Sequence, residues 1–410
     1  MNLPVFFYHR TLAIFLVGVV IFPSALASSS QQQRTVRTSS VATAAGGGAD
    51  SHRIPVFDLA STDTQQLASD IADACSTYGF FQVVNHGISA DLIARFREQC
   101  QLYFELPMNR KKSWKRNDHN SRGFFDDEFT KQRRDWKQCL DVGVPGSRDW
   151  TISDDAEANA CLDGFNQFPG HEILPDFRPT ILEYFDACAA LSDRLARLMA
   201  LGVGLPENDP FITDLRENHS SYLRMNYYPL CEESDDPATL GISPHKDAGF
   251  LTILLQDDDC HSLEAEVNGE WILAHPVPGG LTINTGDMAE IWSNGKYKAP
   301  QHRVLTSNTK TRYSAPFFYN PGYHTFVRPF ISDTSKVKYH PCLWGYFRAV
   351  RFAGDLKDFD VEIQINDFEI ADQVPSAHLK RQEKFHENEL HRIPFDVGRY
   401  EYLMKKYPGI

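Results

Sequence analysis

The chain has 410 residues, with 41 Lys and Arg against 54 Asp and Glu, a formal charge of −13. So acidic a body lacks the basic face that phosphate backbones require, which argues against a nucleic-acid binder. An apolar content of 42% with 12% aromatics excludes a disordered chain and leaves a folded protein with a full core, compatible with a small-molecule enzyme.

Residues 1–49 carry only Arg10, Arg34 and Arg37 as charged side chains. Within them residues 12–22 are an unbroken apolar run, shorter than the ~20 residues a spanning helix needs. Ala25-Leu26-Ala27 follows with small residues at the spacing of a signal-peptide cleavage site. The acid-free, hydroxyl-rich stretch up to Gly46-Gly47-Gly48 has the composition of an organellar transit peptide. Two localisations therefore stay open: plastid import through the secretory route, or a plain secretory signal followed by a flexible linker. Neither leaves a stable membrane span in the mature protein.

Past this segment, Ile54-Pro55-Val56-Phe57 starts a short strand, and Leu67, Ile71, Ala74, Cys75 and Tyr78 recur at helical spacing. The run from Gly79 to Gly87 reads as a buried strand closed by a turn, with His86 a hydrogen bonder that fixes the turn. Ser89 caps a helix faced by Leu92, Phe96, Cys100 and Tyr103 that stops at Leu106-Pro107. A long helix is expected over 179–201, and its apolar stripe reads as core. From 222 onward the pattern changes to short β runs at 222–228, 251–255, 281–284, 303–306 and 312–319, which suggest an antiparallel sandwich or jelly roll. Residues 340–410 return to helical, charged character. The eight cysteines form no Cys-x-x-Cys, so they read as scattered buried thiols.

His245-Lys246-Asp247 is a His-x-Asp; on a strand, residues i and i+2 share a side, so both would project together. His302 comes later, at the start of another expected strand. Two imidazoles and one carboxylate form a facial triad that leaves positions open on iron(II), although zinc would accept the same ligands with a bound water. Arg312 and Ser314 again stand at i and i+2, a guanidinium and a hydroxyl suited to anchoring a carboxylate. If Ser307-Asn308-Thr309-Lys310 is a hairpin turn, Arg312 folds back beside His302. His261, His275, His324 and His340 lack such company and read as surface or core residues.

These motifs resemble the isopenicillin N synthase-like branch of the iron(II)/2-oxoglutarate-dependent dioxygenases, which includes plant flavonoid and gibberellin oxidases. The likeness covers roughly residues 53–350. It rests on Gly79-Phe80-Phe81-Gln82-Val83-Val84-Asn85-His86-Gly87, Asp135-Trp136-Lys137, Arg224-Met225-Asn226-Tyr227-Tyr228-Pro229, His245-Lys246-Asp247, Asn284-Thr285-Gly286-Asp287, His302-Arg303-Val304 and Arg312-Tyr313-Ser314. The resemblance implies a mainly β fold with flanking α-helices around a distorted double-stranded β-helix, the jelly roll. It implies Fe(II) held by His245, Asp247 and His302, 2-oxoglutarate as cosubstrate bound by Arg312 and Ser314 with Asn226 and Tyr228 beside it, and O2. A small organic molecule would be hydroxylated or desaturated, with release of succinate and CO2; no further catalytic side chain is required. Arg122, Phe124, Trp136 and Phe318 are the candidate substrate-pocket positions. Lys246 stands where relatives carry Thr or Ser, and it should point outward.

The expected segmentation is a targeting segment and linker (1–49), an N-terminal α/β region (50–215), the jelly-roll core (216–330) and a C-terminal helical region (331–410), in a monomer. Two rivals share the fold. One is an iron oxidase or oxidative cyclase that does not use 2-oxoglutarate, because the Arg-x-Ser pair also suits another carboxylate. The other is a non-catalytic ligand-binding scaffold, against which the intact triad argues.

Overall fold

A computed structural model describes residues 53–406 apart from 118–119, 131–132, 145–161, 163, 233–238, 357–362, 371–375 and 394–395. The targeting segment and Cys161 lie outside the described residues. In chain order the principal elements are β1 (Val56–Asp58), α1 (Thr64–Thr77), β2 (Phe80–Val84), α2 (Ala90–Glu105), β3 (Gly123–Phe125), β4 (Gln138–Gly143), α3 (Phe177–Gly202) and α4 (Pro210–Asn218). The second half holds β5 (Tyr222–Tyr228), β6 (Leu240–His245), β7 (Leu251–Gln256), β8 (Leu263–Val267), β9 (Glu270–Leu273), β10 (Leu281–Thr285), α5 (Asp287–Trp292), β11 (His302–Leu305), β12 (Arg312–Tyr319), α6 (Trp344–Leu356), α7 (Ala377–Glu387) and α8 (Val397–Lys406).

Local chemistry sets the helices. The Asp63 side chain accepts from the Gln66 N–H to start α1, and Ser89 accepts from the Leu92 N–H to start α2. Both bury one stripe, Leu67, Ile71 and Cys75 on α1, and Leu92, Phe96, Cys100 and Tyr103 on α2. Each packs on α3, where Phe96 stacks on Tyr184 at 3.9 Å between ring centroids.

An eight-stranded sheet runs in the order β1-β2-β10-β7-β12-β5-β4-β3, and a four-stranded sheet in the order β9-β8-β11-β6. All pairs are antiparallel except β1 with β2. Residues directly opposite in register share a face, and alternation then divides the large sheet in two. Leu223, Met225, Leu251, Ile253, Leu255, Leu281, Ile283, Ala315 and Phe317 join the helices in the main core. Burying a Leu or Phe there contributes roughly 1.5–3 kcal/mol, and Phe317→Ala would cost about 3–5 kcal/mol. The opposite face presents Thr252, Gln256, Thr282, Asn284, Asn226, Arg312 and Ser314, all buried and all polar. A small second core of Phe80, Tyr228 and Leu254 from the large sheet with Leu263, Ala265 and Val304 from the small one shows the two sheets face each other. This is the double-stranded β-helix, mainly β with flanking helices. Its interior is polar on one side because that side builds a site.

Five strands, β3, β4, β6, β8 and β9, go beyond the sequence expectation. β6 contains Gly241 and Pro244, which break the β pattern. β8 and β9 form a hairpin through Asn268-Gly269, both at positive φ (54° and 86°), as a tight primed turn demands. The hairpin expected at 307–310 is corrected: β11 pairs with β6 and β8, whereas β12 pairs with β5 and β7, so the connection crosses from one sheet to the other. Arg312 therefore does not lie beside His302 on a neighbouring strand. The seven described cysteines are all buried and unbridged, and among the described residues no helix is long and apolar enough to cross a membrane.

Candidate metal centre

His245 ends β6, and His302 begins β11 directly opposite it in register. Their ring centroids are 4.2 Å apart. Asp247 lies past the end of β6, not on it, so strand alternation does not aim its carboxylate. Hydrogen bonds do: Thr252 Oγ1 donates to its Oδ2 at 2.6 Å and Asn284 Nδ2 at 2.7 Å. That leaves Oδ1 facing the histidines, 3.8 Å from His245 Nε2 and 3.6 Å from His302 Nε2. One ligand atom from each of the three residues falls within 4.8 Å of the other two, and no other such group of His, Cys, Asp or Glu occurs among the described residues.

The backbone also fixes the imidazole tautomers. His245 Nδ1 lies 2.9 Å from the Ser243 carbonyl and His302 Nδ1 lies 3.3 Å from the Pro300 carbonyl. A carbonyl only accepts, so each Nδ1 carries the proton and each Nε2 lone pair faces inward, as metal ligation requires. Burial, then the neighbouring His302 ring, pushes the His245 pKa down to about 3, so it stays neutral. Burial opposes ionisation of Asp247, but His302, His245, Asn284 and Thr252 outweigh it and hold its pKa below the usual carboxylate value. Gly286 has no room for a side chain: a Cβ there would sit 2.3 Å from the Gly249 carbonyl and 2.7 Å from that of Asp247. Next to it, the Asp287 N–H donates to the Asp247 carbonyl at 2.8 Å.

Two imidazoles and a carboxylate, each braced from behind, fit iron(II) with positions left open. A second cluster lies at the other end of the same inner face. Arg312, 2% exposed, is directly opposite Tyr228, and Ser314 opposite Asn226. The guanidinium lies 4.8 Å from the Tyr228 ring centroid and gives one hydrogen bond, Nη2 to Gln256 Oε1 at 3.2 Å. Its Nε and Nη1 are buried without a partner. Cys139 Sγ donates to Asn226 Oδ1 (3.0 Å), and Asn226 Nδ2 donates to Ser314 Oγ (3.3 Å), so the Ser314 hydroxyl proton is left to donate elsewhere. Two unpaired guanidinium donors and an oriented hydroxyl fit a carboxylate.

Of the candidate pocket positions, Phe318 lies on the inner face opposite Thr252. Arg122 is held by Asn166 at 3.2 Å and lies over Gly143 on that same face. Phe124 packs in the main core, and alternation along β3 turns Phe125 the other way. Trp136 is 42% exposed and donates from Nε1 to the Leu230 carbonyl. Lys246 points outward, 3.9 Å from Glu290. His86 fixes its turn as expected, accepting from the Ile88 N–H and facing the Gly279 carbonyl. Sequence reasoning assigned no role to Thr252, Asn284 or Gln256, although a polar residue at every second or fourth place of an otherwise apolar strand is a readable sign of a lined interior.

Fold and site together define a non-haem iron oxygenase. Residues 219–321 match the 2OG-Fe(II) oxygenase superfamily, and residues 54–171 match the N-terminal region of non-haem dioxygenases in morphine synthesis. Jasmonate-induced oxygenase 2 of Arabidopsis thaliana is 32% identical over 326 residues, covering 76% of this chain and 83% of that protein. Gibberellin 20 oxidase 2 of Oryza sativa subsp. japonica is 34% identical, covering 68% and 69%. Among solved structures, JOX2 in complex with 2OG, Fe and JA is similar with a TM-score of 0.63 and 31% identity, covering 72% of this chain and 84% of that one. The dioxygenase for auxin oxidation 1 from Arabidopsis thaliana, in its 2-oxoglutarate complex, gives 0.56 and 28%, covering 69% and 99%. The chain belongs to the Fe(II)/2-oxoglutarate-dependent dioxygenases, enzymes that use Fe(II), 2-oxoglutarate and O2 to oxidise small molecules.

Proposed function

We propose that His245, Asp247 and His302 are the iron ligands and that Arg312 and Ser314 grip the distal carboxylate of 2-oxoglutarate. The observation that carries the second assignment is the buried Arg312 guanidinium with two unpartnered nitrogens beside the aimed Ser314 hydroxyl. Asn226 orients Ser314, Tyr228 braces the guanidinium, and Gln256, itself held near Thr282 Oγ1 at 3.3 Å, fixes its third edge. When bound, Fe(II) with 2-oxoglutarate and O2 supplies oxidation of a substrate C–H bond, coupled to conversion of the keto acid into succinate and CO2. The chain's own task is positional. His245 stays neutral, and Thr252 and Asn284 hold one oxygen of Asp247 so the other is free.

The substrate is a small organic molecule, taken up beside Phe318 and Arg122. In this reading the protein acts as a monomer, divided as 50–215, 216–330 and 331–410, and residues 1–49 are a removable signal-like leader. Succinate release by the chain beginning at Asp50, with iron and candidate substrates, tests the whole. Turnover that proceeds equally without 2-oxoglutarate would remove Arg312 and Ser314 from the cosubstrate role.

A further inference from the structure

The row of inner-face residues that steadies Asp247 does not end at the triad. Asn284, Thr252, Phe318 and Tyr222 stand opposite one another in register across β10, β7, β12 and β5. Phe318 stacks on Tyr222 with ring centroids 4.5 Å apart and planes 25° from parallel. Beyond Tyr222 stands Arg348 of α6. Its guanidinium carbon is 4.5 Å from the Tyr222 ring centroid and 3.1 Å from that of Phe352, one helical turn on.

Arg348 is 6% exposed, and its Nε is buried without a partner. No hydrogen bond or ion pair joins its guanidinium to any described residue. Other interior arginines are matched: Arg224 by Asp141 at 2.8 Å and Glu128 at 3.1 Å, and Arg351 by Asp287 at 3.4 Å. Burial of an ion is unfavourable unless directed hydrogen bonds replace water, and ring faces alone do not replace them. Tyr222 is no counter-ion, because burial pushes its phenol up to about 12. Arg312 is likewise without an ion pair, with one hydrogen bond to Gln256 and two unpartnered nitrogens, and in the reading above the far carboxylate of 2-oxoglutarate completes it. Arg348 lies at the opposite end of the same strands, since Tyr222 begins β5 and Tyr228, under Arg312, ends it.

We propose that Arg348 receives a carboxylate of the substrate that is oxidised, so that the enzyme acts on small organic acids whose apolar body lies along Tyr222 and Phe318 towards the triad. This rests on the reading of that triad as the reacting centre. A neutral substrate would leave the buried Arg348 Nε without a partner and the charge without a counter-ion. A second carboxylate at this end also keeps the substrate apart from 2-oxoglutarate, whose far carboxylate belongs to Arg312.

The test uses the full chain with Fe(II) and 2-oxoglutarate under anaerobic conditions. Calorimetric titration compares 3-phenylpropionate, trans-cinnamate and octanoate, each with its methyl ester. At least one acid should bind about tenfold or more tightly than its ester, the worth of charge-assisted hydrogen bonding. Arg348→Gln should erase that preference, Arg348→Lys should keep part of it, and 2-oxoglutarate binding should be unchanged in both. The ligand-free Arg348→Gln protein should melt no lower than wild type, because an unpaired buried charge has been removed; a purely structural arginine would lower the melting temperature. No acid binding above its ester, or acid binding by Arg348→Gln equal to wild type, overturns the proposal. Failure of wild type to bind 2-oxoglutarate in an iron-dependent way would instead overturn the reading of the triad, and is scored separately.

Discussion

Arg312→Lys separates shape from charge at the cosubstrate end. The wild-type guanidinium lies over Tyr228, gives Nη2 to Gln256, and holds Nε and Nη1 free of protein partners beside Ser314. Nη1 with the second hydrogen of Nη2 forms the end of a planar fork, the geometry that meets both oxygens of a carboxylate. Lysine keeps the charge as a point at the end of a flexible stem, so one of two charge-assisted hydrogen bonds is lost, worth about 1.5–3 kcal/mol. At ~1.4 kcal/mol per decade, the KM for 2-oxoglutarate should rise about tenfold or more. Iron affinity should stay as it was, because Arg312 is not among the three residues whose ligand atoms converge. Ser314→Ala should act in the same direction more weakly, since Ser314 contributes one hydroxyl. The assay is 2-oxoglutarate-dependent succinate release, with a parallel iron titration and a melting curve to exclude loss of fold. An unchanged KM in Arg312→Lys would refute the clamp, and a matching loss of iron would show that the residue acts on the metal site instead.

Alanine at His245, Asp247 or His302 should abolish iron binding while circular dichroism stays that of the wild type; wild-type iron affinity in any one variant would remove that residue from the ligand set. Thr252→Val and Asn284→Ala each strip one hydrogen bond from Asp247 Oδ2 and should weaken iron about 10–100-fold, the usual range for outer partners of a metal ligand; calorimetric titration reads it, and an effect below twofold would contradict the bracing role. Glu128→Gln should cost about 3–5 kcal/mol in urea unfolding, because it leaves Lys137 (2.6 Å) and Arg224 (3.1 Å) short of a buried partner. Burial works against the Glu128 charge, but Arg224, Lys137 and Arg116 overcome it and hold its pKa well below the carboxylate range. The stability it confers is therefore present above its unfolded pKa of about 4.3 and drains away as pH falls below that. Glu128→Gln should flatten that acid limb of the stability curve, and a curve that stays as steep would disprove the linkage.

Particular residues show what was legible before the structure and what was not. The strands at 222–228 and 312–319 coincide with the expected runs because both are rich in aromatic and apolar residues and are bounded by Pro229 and the polar segment 307–310. The Ser89 cap and the long α3 stripe were readable for the same reason, since each is written in a few neighbouring residues. The His-x-Asp was visible, yet its explanation was not. Strand alternation does not aim Asp247; Thr252 and Asn284 do, and they come from β7 and β10. Contacts between residues so distant leave no local pattern. The settings of Phe124 and Trp136 were illegible for a different reason. An aromatic residue near a motif carries no information about which face of its strand it occupies, and the structure turns one into the helical core and the other towards solvent.

The large sheet explains why the site could be built at all. Its helix-side face carries the apolar residues that hold the fold together, so the opposite face is free to be polar without a comparable loss of stability. On that face each buried polar group is tied to another, Gln256 to Thr282, Asn226 to Ser314, Asn284 to Asp247, and few donors remain open. The exceptions therefore carry weight. The open guanidinium nitrogens of Arg312 lie at one end and the unmatched Arg348 at the other, with the triad's lone pairs level with Thr252. A polar interior that satisfies itself nearly everywhere marks its ligands by the groups it leaves unsatisfied, and two such arginines at opposite ends fit two acids, the keto acid and the molecule it helps to oxidise.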